Sequence, residues 1–163
     1  MTDPTWVGGD FQQPPRTDGD VALCGACRKT GTCRLGLTTE RLDADGVAHF
    51  EITCPPEHEG GPGVAHGGWT AAMLDEALGH VVLLNDRMSV TGTLTIRFDK
   101  PVPIGRPLEA RAWAERRDAS KWHLAGELVL ASSRASLARA HGVFVLRDGA
   151  THFGEFERWL AEQ

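Results

Sequence analysis

The sequence has no long apolar segment and no excess of basic residues. None of its apolar runs approaches the roughly 20 residues that a membrane-spanning helix needs. Its 17 lysines and arginines are outnumbered by 22 aspartates and glutamates, which gives a net charge of −5. The broad positive field of a general nucleic-acid or anionic-lipid binder is therefore missing. We expect neither a membrane protein nor a nucleic-acid-binding protein.

Cysteine is also scarce, with four in 163 residues. Four cysteines do not make a disulfide framework for this length, and the first residues lack the basic start and apolar stretch of a secretory signal. These absences predict a cytoplasmic protein. The alternative for Cys24, Cys27, Cys33 and Cys54 is a structural zinc site. A zinc ribbon usually repeats the Cys-x-x-Cys pair and this chain does not, so we expect no metal.

The length suits one domain that buries about 70% of its unfolded surface. Residues 1–20 are polar and rich in proline and glycine, which predicts an irregular leader before a single domain over residues 21–163. Two strand-like runs, Arg34 to Leu42 and Val47 to Thr53, flank the turn sequence Asp43-Ala-Asp-Gly46. Together they predict a β-hairpin.

An apolar helix is predicted after the hairpin. From Gly68 to Leu84, apolar residues occupy nearly every face, as in a buried helix about 25 Å long. Its only charged side chains are Asp75 and Glu76. Glu76 lies one turn before His80 and is expected to pair with it.

The sequence after this helix alternates with a period of two. Val90, Leu94, Ile96 and Phe98 are predicted to share one face of a strand, with Thr91 on the other face. Similar alternation continues through three or four long strands, whose tight connections predict antiparallel neighbours.

The tail has helical spacing at Phe153, Phe156, Trp159 and Leu160, and we expect it to pack on the sheet. The order of elements predicts an α+β fold, in which a long central helix is wrapped by a curved antiparallel sheet.

The start of the predicted helix carries most of the chemical information. His66-Gly67-Gly68 leads into it, and a helix start leaves backbone N–H groups unpaired, with the positive end of the helix dipole behind them. Such donors suit an oxyanion or a polarised carbonyl group. Because Gly67 and Gly68 have no Cβ, a substrate carbonyl is able to come close.

Asp75 lies two turns further along the same helix. Its neighbours one turn away are Ala71 and Gly79, which leave open space above the carboxylate. A charge in an apolar wall costs several kcal/mol unless it is compensated. Asp75 is therefore either a functional carboxylate or one that caps nearby backbone or pairs with an arginine.

The segment His66-Gly67-Gly68, followed by six residues and then Asp75, resembles the signature of hotdog-fold acyl-CoA thioesterases of the PaaI type. The resemblance extends from about Cys24 to Arg147. Three other segments resemble sequences that this family has at corresponding positions: Leu35-Gly-Leu, Pro62-Gly-Val-Ala and Arg97-Phe-Asp-Lys-Pro-Val-Pro-Ile-Gly105.

The resemblance implies a role for four residues. Asp75 would be the catalytic carboxylate, acting on water as a general base or on the thioester as a nucleophile. The Gly67 N–H would polarise the thioester carbonyl, and His66 would shape that loop or reach the same oxygen. Thr91 falls where relatives carry a serine or threonine that helps hold the attacking water.

The expected substrate contacts are Gly68, Trp69 and His58. One feature departs from the family pattern, because some relatives carry a side-chain amide a few residues before His66. Gly60 stands near that position here. Glu57, His58 or Glu59 would have to take the place of the amide.

The implied activity is hydrolysis of an acyl-CoA thioester to a carboxylic acid and free CoA, with no cofactor. The resemblance further implies a homodimer or a dimer of dimers, with the active site shared between two subunits. The outer face of the sheet, with Trp113 and Ala125, needs partial cover, and this also predicts self-association. Candidate partners of the CoA phosphates are Arg87, Arg97, Lys100, Arg134 and Arg139.

Two alternatives stay open. One is a hotdog hydratase or dehydratase that acts on enoyl or hydroxyacyl thioesters, since His66 and Asp75 supply a histidine and a carboxylate. The other is a noncatalytic acyl-CoA or lipid-binding module with the same fold.

Overall fold

The computed structural model describes residues 20–163, and the predicted leader, apart from Asp20, lies outside them. The helices of this part are α1 (Gly25–Arg28), α2 (Gly67–Leu83) and α3 (Gly149–Ala161), with a 3-10 turn at Pro56–His58. Its strands are β1 (Leu37–Leu42), β2 (Ala48–Thr53), β3 (Glu59–Gly61), β4 (Val64–Ala65), β5 (Ser89–Phe98), β6 (Pro107–Arg117), β7 (Lys121–Leu130) and β8 (Ser136–Leu146). No helix among these residues is long and apolar enough to cross a membrane.

Six strands form one antiparallel sheet in the order β1-β2-β6-β7-β8-β5, and β3 and β4 form a separate ribbon that leads into α2. Helix α2 lies against this sheet and contacts β2, β5, β6, β7 and β8. Burying one of its large apolar side chains contributes roughly 1.5–3 kcal/mol. The predicted α+β arrangement is confirmed. The large apolar side chains of α2 that are fully buried are Met73, Leu74, Leu78, Val81 and Val82.

The predicted hairpin is confirmed, although its first strand begins later than predicted, at Leu37. Gly36 explains the difference, because its φ of 82° belongs to the left-handed region. A Cβ at Gly36 would lie 1.9 Å from the carbonyl oxygen of Thr53. At the other end, the Asp43 carboxylate accepts the Val47 N–H at 2.9 Å and closes the turn.

Strand β5 does not alternate as predicted. Its register on β8 shifts between Thr91 and Thr93, so Gly92 is an extra residue in a β-bulge. Because side chains alternate with a period of two, one extra residue reverses the faces on the two sides of the bulge. The prediction that Val90 shares a face with Leu94 is therefore wrong.

The bulge turns Thr91 toward the side of the sheet that α2 covers. Thr91 pairs with Phe144 of β8, and residues directly opposite each other share a face. Phe144 is buried, and its ring lies 3.4 Å from where a Cβ of Gly79 in α2 would be. Phe98, at the far end of β5, is 56% exposed rather than in the core.

The helical tail is confirmed as α3, but its predicted packing on the sheet is wrong. None of the α3 side chains is buried. Phe156, Trp159 and Leu160 are 40%, 55% and 54% exposed. The apolar face of the sheet is already covered by α2, so the α3 aromatic rings contact each other instead.

A charged cluster lies inside the otherwise apolar core. The Nδ1 of His80 bonds to the Glu40 carboxylate, and its Nε2 lies 3.1 Å from a carboxylate oxygen of Glu76. His80 and Glu40 are both buried, and Glu40 also accepts the Ala22 N–H at 2.8 Å. Burial lowers the pKa of His80, but the bonds to Glu40 and Glu76 outweigh it and raise this pKa to about 9. The predicted Glu76–His80 pair is confirmed.

We expect Glu40→Gln to lower the free energy of unfolding by roughly 3 kcal/mol at neutral pH, because it leaves the buried His80 cation with one carboxylate. Glutamine keeps an oxygen for the Ala22 N–H, so the backbone contact survives. Urea denaturation across a pH series measures the effect. Glu76→Gln, which changes the more exposed partner, is the matched control and should cost less.

The contribution of protonated His80 to the free energy of unfolding should decrease as the pH rises. The folded-state pKa of His80, about 9, lies above its ordinary value of 6.5. Its stabilising contribution is therefore complete below pH 6.5 and is lost as the pH rises through about 9. The stability gap between wild type and Glu40→Gln should narrow over this window. A gap of constant size would contradict a protonated His80.

Candidate active site

The start of α2 leaves one backbone donor unused. His66 is the N-cap, and its Nδ1 accepts the Gly68 N–H at 2.9 Å. Its carbonyl accepts the N–H groups of Trp69 and Thr70, which completes the first turn. The Gly67 N–H finds no acceptor among residues 20–163. It lies at the positive end of a 17-residue helix.

The loop before α2 is held tightly against His66. A Cβ on Gly60 would lie 2.9 Å from the Cα of His66, closer than real contacts allow, so a side-chain amide at Gly60 does not fit. His58 donates its Nε2–H to the carbonyl of Arg34 at 3.1 Å, and its own carbonyl accepts the His66 N–H. Glu59 accepts a backbone N–H of its own loop. These two side chains hold the loop.

Two residues expected to contact substrate are used by the fold instead. Trp69 is buried in the core, and its indole N–H donates to the Leu35 carbonyl at 3.1 Å. The Gly68 N–H is taken by His66. The indole N–H of Trp69 and the backbone N–H of Gly68 are therefore both occupied by contacts within the chain.

Asp75 and Thr91 meet in the described structure. The Thr91 hydroxyl donates to a carboxylate oxygen of Asp75 at 2.7 Å. Burial raises the pKa of Asp75 above its ordinary value, the Thr91 bond opposes the rise, and the nearby charge of Glu76 adds to it. A raised pKa makes the ionised carboxylate a stronger base. Sequence alternation misses this contact, because the contact depends on the bulge at Gly92.

Asp75 and Thr91 line a cavity of about 380 Å³. Gly79 and Leu83, one and two turns after Asp75, continue the wall along α2. A cavity with apolar walls and one carboxylate at its edge suits an apolar chain with a reactive polar end. The other apolar residues of the wall whose side chains can face it are Leu23, Met88 and Phe144.

Gly67 borders a different pocket, of about 350 Å³, together with Phe98 and Lys100. Eight residues separate Gly67 from Asp75 on α2, which is about 12 Å along the helix axis. The free N–H and the carboxylate of one chain therefore cannot contact the same carbonyl group.

The candidate cations differ in their partners. Arg97 and Arg139 both pair with Asp99, and Arg134 pairs with a glutamate of β6. Lys100 is exposed beside Gly67 and forms no ion pair within the described residues. Arg87 lines the Asp75 cavity.

The cysteines do not gather a metal site in residues 20–163, where no group of three or more histidine, cysteine or acidic residues is placed to hold an ion. Cys27 accepts the Arg34 N–H at 3.3 Å through its sulfur. Burial raises the pKa of Cys54 to about 11, so its thiol stays protonated and is a poor ligand or nucleophile.

Comparison with known proteins gives a consistent result. Residues 62–135 match the thioesterase superfamily. No curated protein sequence matches the chain. A crystal structure described as a thioesterase superfamily protein is 26% identical, with a TM-score of 0.62, over 68% of this chain. The alignment spans 56% of that protein, which is less than two thirds of its length.

Two further solved structures share the fold at lower identity. The PaaI protein of the E. coli phenylacetic acid degradation operon is 22% identical, with a TM-score of 0.63, over 74% of this chain and 87% of its own. A hypothetical thioesterase from Streptococcus pneumoniae, solved with coenzyme A, is 16% identical, with a TM-score of 0.61, over 67% of this chain and 87% of its own.

Treatment that removes bound metal ions should not change the stability of the protein. Incubation with a strong chelator is expected to leave the melting temperature unchanged, because Cys27 and Cys54 contact backbone groups and residues 20–163 bring no three candidate ligands together. Thermal melts with and without chelator measure this. Stoichiometric zinc by elemental analysis, with unfolding on its removal, would show that the cysteines ligate a metal.

Proposed function

We propose that the chain, which shares the hotdog fold of solved thioesterases and matches the thioesterase superfamily over residues 62–135, hydrolyses an acyl-CoA thioester to a carboxylic acid and free CoA. The observation that carries the proposal is the half-buried Asp75 carboxylate, bonded to Thr91 at the edge of an apolar cavity. A chain with a thioester at its end fits this arrangement. We place the activity in the cytoplasm, where the four unpaired cysteines stay reduced.

In the proposed reaction, Asp75 acts on the water that attacks the thioester carbon. Thr91 occupies one carboxylate oxygen, which leaves the other oxygen to accept a proton from water. Direct attack by the carboxylate on the thioester is the other route open to Asp75. The Gly67 N–H stabilises the negative charge that develops on the carbonyl oxygen. His66 keeps that N–H available by capping its neighbour instead.

The Streptococcus pneumoniae relative supports the pairing of Asp75 with Thr91. It has also been solved as an Asp→Ala variant and as a Thr→Ala variant. The two changed residues are sixteen positions apart in that protein, as Asp75 and Thr91 are here.

We propose a homodimer, and the geometry of α2 supports it. Because Gly67 and Asp75 lie about 12 Å apart along one helix, a second chain has to bring its own Gly67 to the Asp75 cavity. The long strand β5 is an edge of the sheet, and an edge leaves backbone groups ready to pair with another chain. The outer face of the sheet gives less support for a dimer, because Ala125 is already buried within one chain.

For the CoA phosphates we propose Lys100. It is exposed and forms no ion pair within the described residues, whereas Arg97, Arg134 and Arg139 are held in ion pairs. A flexible ammonium group binds phosphate as a point charge.

A thiol-release screen over short, long and aryl acyl-CoA esters tests the function. Release of thiol from saturated esters separates a thioesterase from a hydratase, and binding without turnover would indicate a noncatalytic module.

Asp75→Asn should lower thiol release by roughly 10²–10⁴-fold, because it removes the base or nucleophile while keeping the side chain's size. Glu76→Gln is the matched control and should cost far less, since Glu76 is occupied by His80 and projects about 100° away around the helix. Steady-state kinetics on the best ester measures both variants. Near-wild-type turnover by Asp75→Asn would refute the assignment.

Asp75→Asn should not destabilise the protein, although it lowers the activity. A carboxyl whose pKa is raised by folding stabilises the protein most below its ordinary value of 3.8, and this contribution is lost as the pH rises through the folded-state pKa. Asp75→Asn should therefore keep or raise the melting temperature at neutral pH. Wild-type kcat/KM should fall on acidification with an apparent pKa above 3.8.

Gly67→Pro tests the N–H directly, since proline removes that donor and little else. Gly67 is the first residue of α2, where proline is best tolerated, and His66 already has the extended φ of −59° and ψ of 138° that a residue before proline requires. We expect a loss of about 10²–10³-fold in kcat. Gly67→Ala keeps the N–H, and its Cβ would lie 3.7 Å from Phe98, so it should keep most activity.

Mixed dimers test whether the site is shared. Chains with Asp75→Asn and chains with Gly67→Pro are inactive alone, but a dimer of one of each contains one intact site. Mixing after unfolding and refolding should restore roughly a quarter of wild-type activity, the share that random pairing produces. No recovery, or a monomeric mass by light scattering, would contradict a shared site.

A further inference from the structure

The cavity beside Asp75 continues away from the proposed reaction centre. Its wall follows one face of α2 from Asp75 through Gly79 to Leu83, about 12 Å along the helix. An acyl chain bound with its thioester at Asp75 would extend along this wall. What closes the cavity therefore decides which acyl groups bind.

The segment before β1 also lines this cavity, and its backbone is held in place. Ala22 is buried and donates its N–H to the buried Glu40. Cys27 is buried in the short helix α1. Arg28, the last residue of α1, lines the cavity, and its Nε donates to the carbonyl of Leu23 at 2.9 Å.

The guanidinium of Arg28 is incompletely satisfied. Its Nη1 is shut off from solvent and has no hydrogen-bond partner among residues 20–163. The two carboxylates that line the same cavity are engaged elsewhere, Asp75 by Thr91 and Glu76 by His80. A buried guanidinium N–H without an acceptor is costly, because the desolvation of that charged donor is not repaid.

A carboxylate is the acceptor that matches such a group best. Its two oxygens accept the parallel N–H bonds of a guanidinium, and the opposite charges strengthen both bonds. Apolar residues such as Leu23, Leu83 and Phe144 line the cavity. A ligand with an apolar middle and a charged far end fits this distribution.

We propose that the acyl group of the substrate carries a carboxylate at the end remote from the thioester, and that Arg28 binds this carboxylate. The substrate class is then the CoA half-thioester of a dicarboxylic acid. This inference rests on the proposed thioesterase function, because it takes Asp75 as the place where the thioester lies.

The experiment compares two esters that differ only at the far end, adipyl-CoA with a carboxylate and hexanoyl-CoA with a methyl group. Wild type should prefer adipyl-CoA in kcat/KM. In Arg28→Met, the ratio of the two kcat/KM values should fall by about 10- to 100-fold. Arg28→Lys, which keeps the charge but not the paired donors, should lie between. Lys29→Met is the matched control, since Lys29 is exposed and lies outside the cavity wall.

Binding separates failure of this inference from failure of the proposed function. Calorimetry with Asp75→Asn, which should bind esters without hydrolysing them, should show tighter binding of adipyl-CoA than of hexanoyl-CoA, and this difference should vanish when Arg28→Met is added. If wild type hydrolyses no ester but the binding difference is found, the thioesterase proposal fails and acyl recognition by Arg28 stands.

Three results would overturn the inference. The first is a wild-type preference for hexanoyl-CoA. The second is an unchanged ratio in a folded Arg28→Met variant, with folding checked by thermal melts. The third is an equal loss of affinity for free CoA in Arg28→Met, which would mean that Arg28 binds the CoA part of the ester.

Discussion

The burial of α2 against the sheet is the constraint on which the rest of this structure depends. An apolar helix enclosed by one sheet has a fixed position and a fixed rotation, since its side chains interdigitate with those of five strands. Polar groups on such a helix therefore have fixed positions too. Gly67 at its start and Asp75 two turns later are rigidly placed, and their separation is set by the helix rise alone. The same rigidity that preorganises each group keeps them apart in one chain.

The fold is largely readable from the sequence because it follows from hydrophobic periodicity. The all-round apolar stretch gives α2, and alternation gives β6, β7 and β8, since these patterns reflect which surfaces have to leave water. Local turn chemistry gives the hairpin at Asp43. These signals are local, and each element that was predicted correctly depends on contacts within its own segment or on burial in general.

The features missed in the sequence are those that depend on what a distant segment already occupies. The bulge at Gly92 is set by the fit of β5 on β8, and without it Thr91 would face away from Asp75. Glu40 pairs with His80 across forty positions of sequence, so spacing rules for helices do not find it. The side chains of α3 are exposed because α2 already occupies the apolar face of the sheet. In each case the local pattern is sound and the tertiary context decides the outcome.

The Ala22–Glu40 bond has a consequence for how the cavity is built. The wall formed by residues 22–28 belongs to no strand, and it is joined to the sheet through a backbone N–H that any residue except proline supplies at position 22. Its side chains are therefore able to change without shifting strand register or the rotation of α2. Chemistry and ligand choice are separable in this architecture: the helix and the bulged strand hold the reacting groups, while a short exchangeable segment shapes the space beside them.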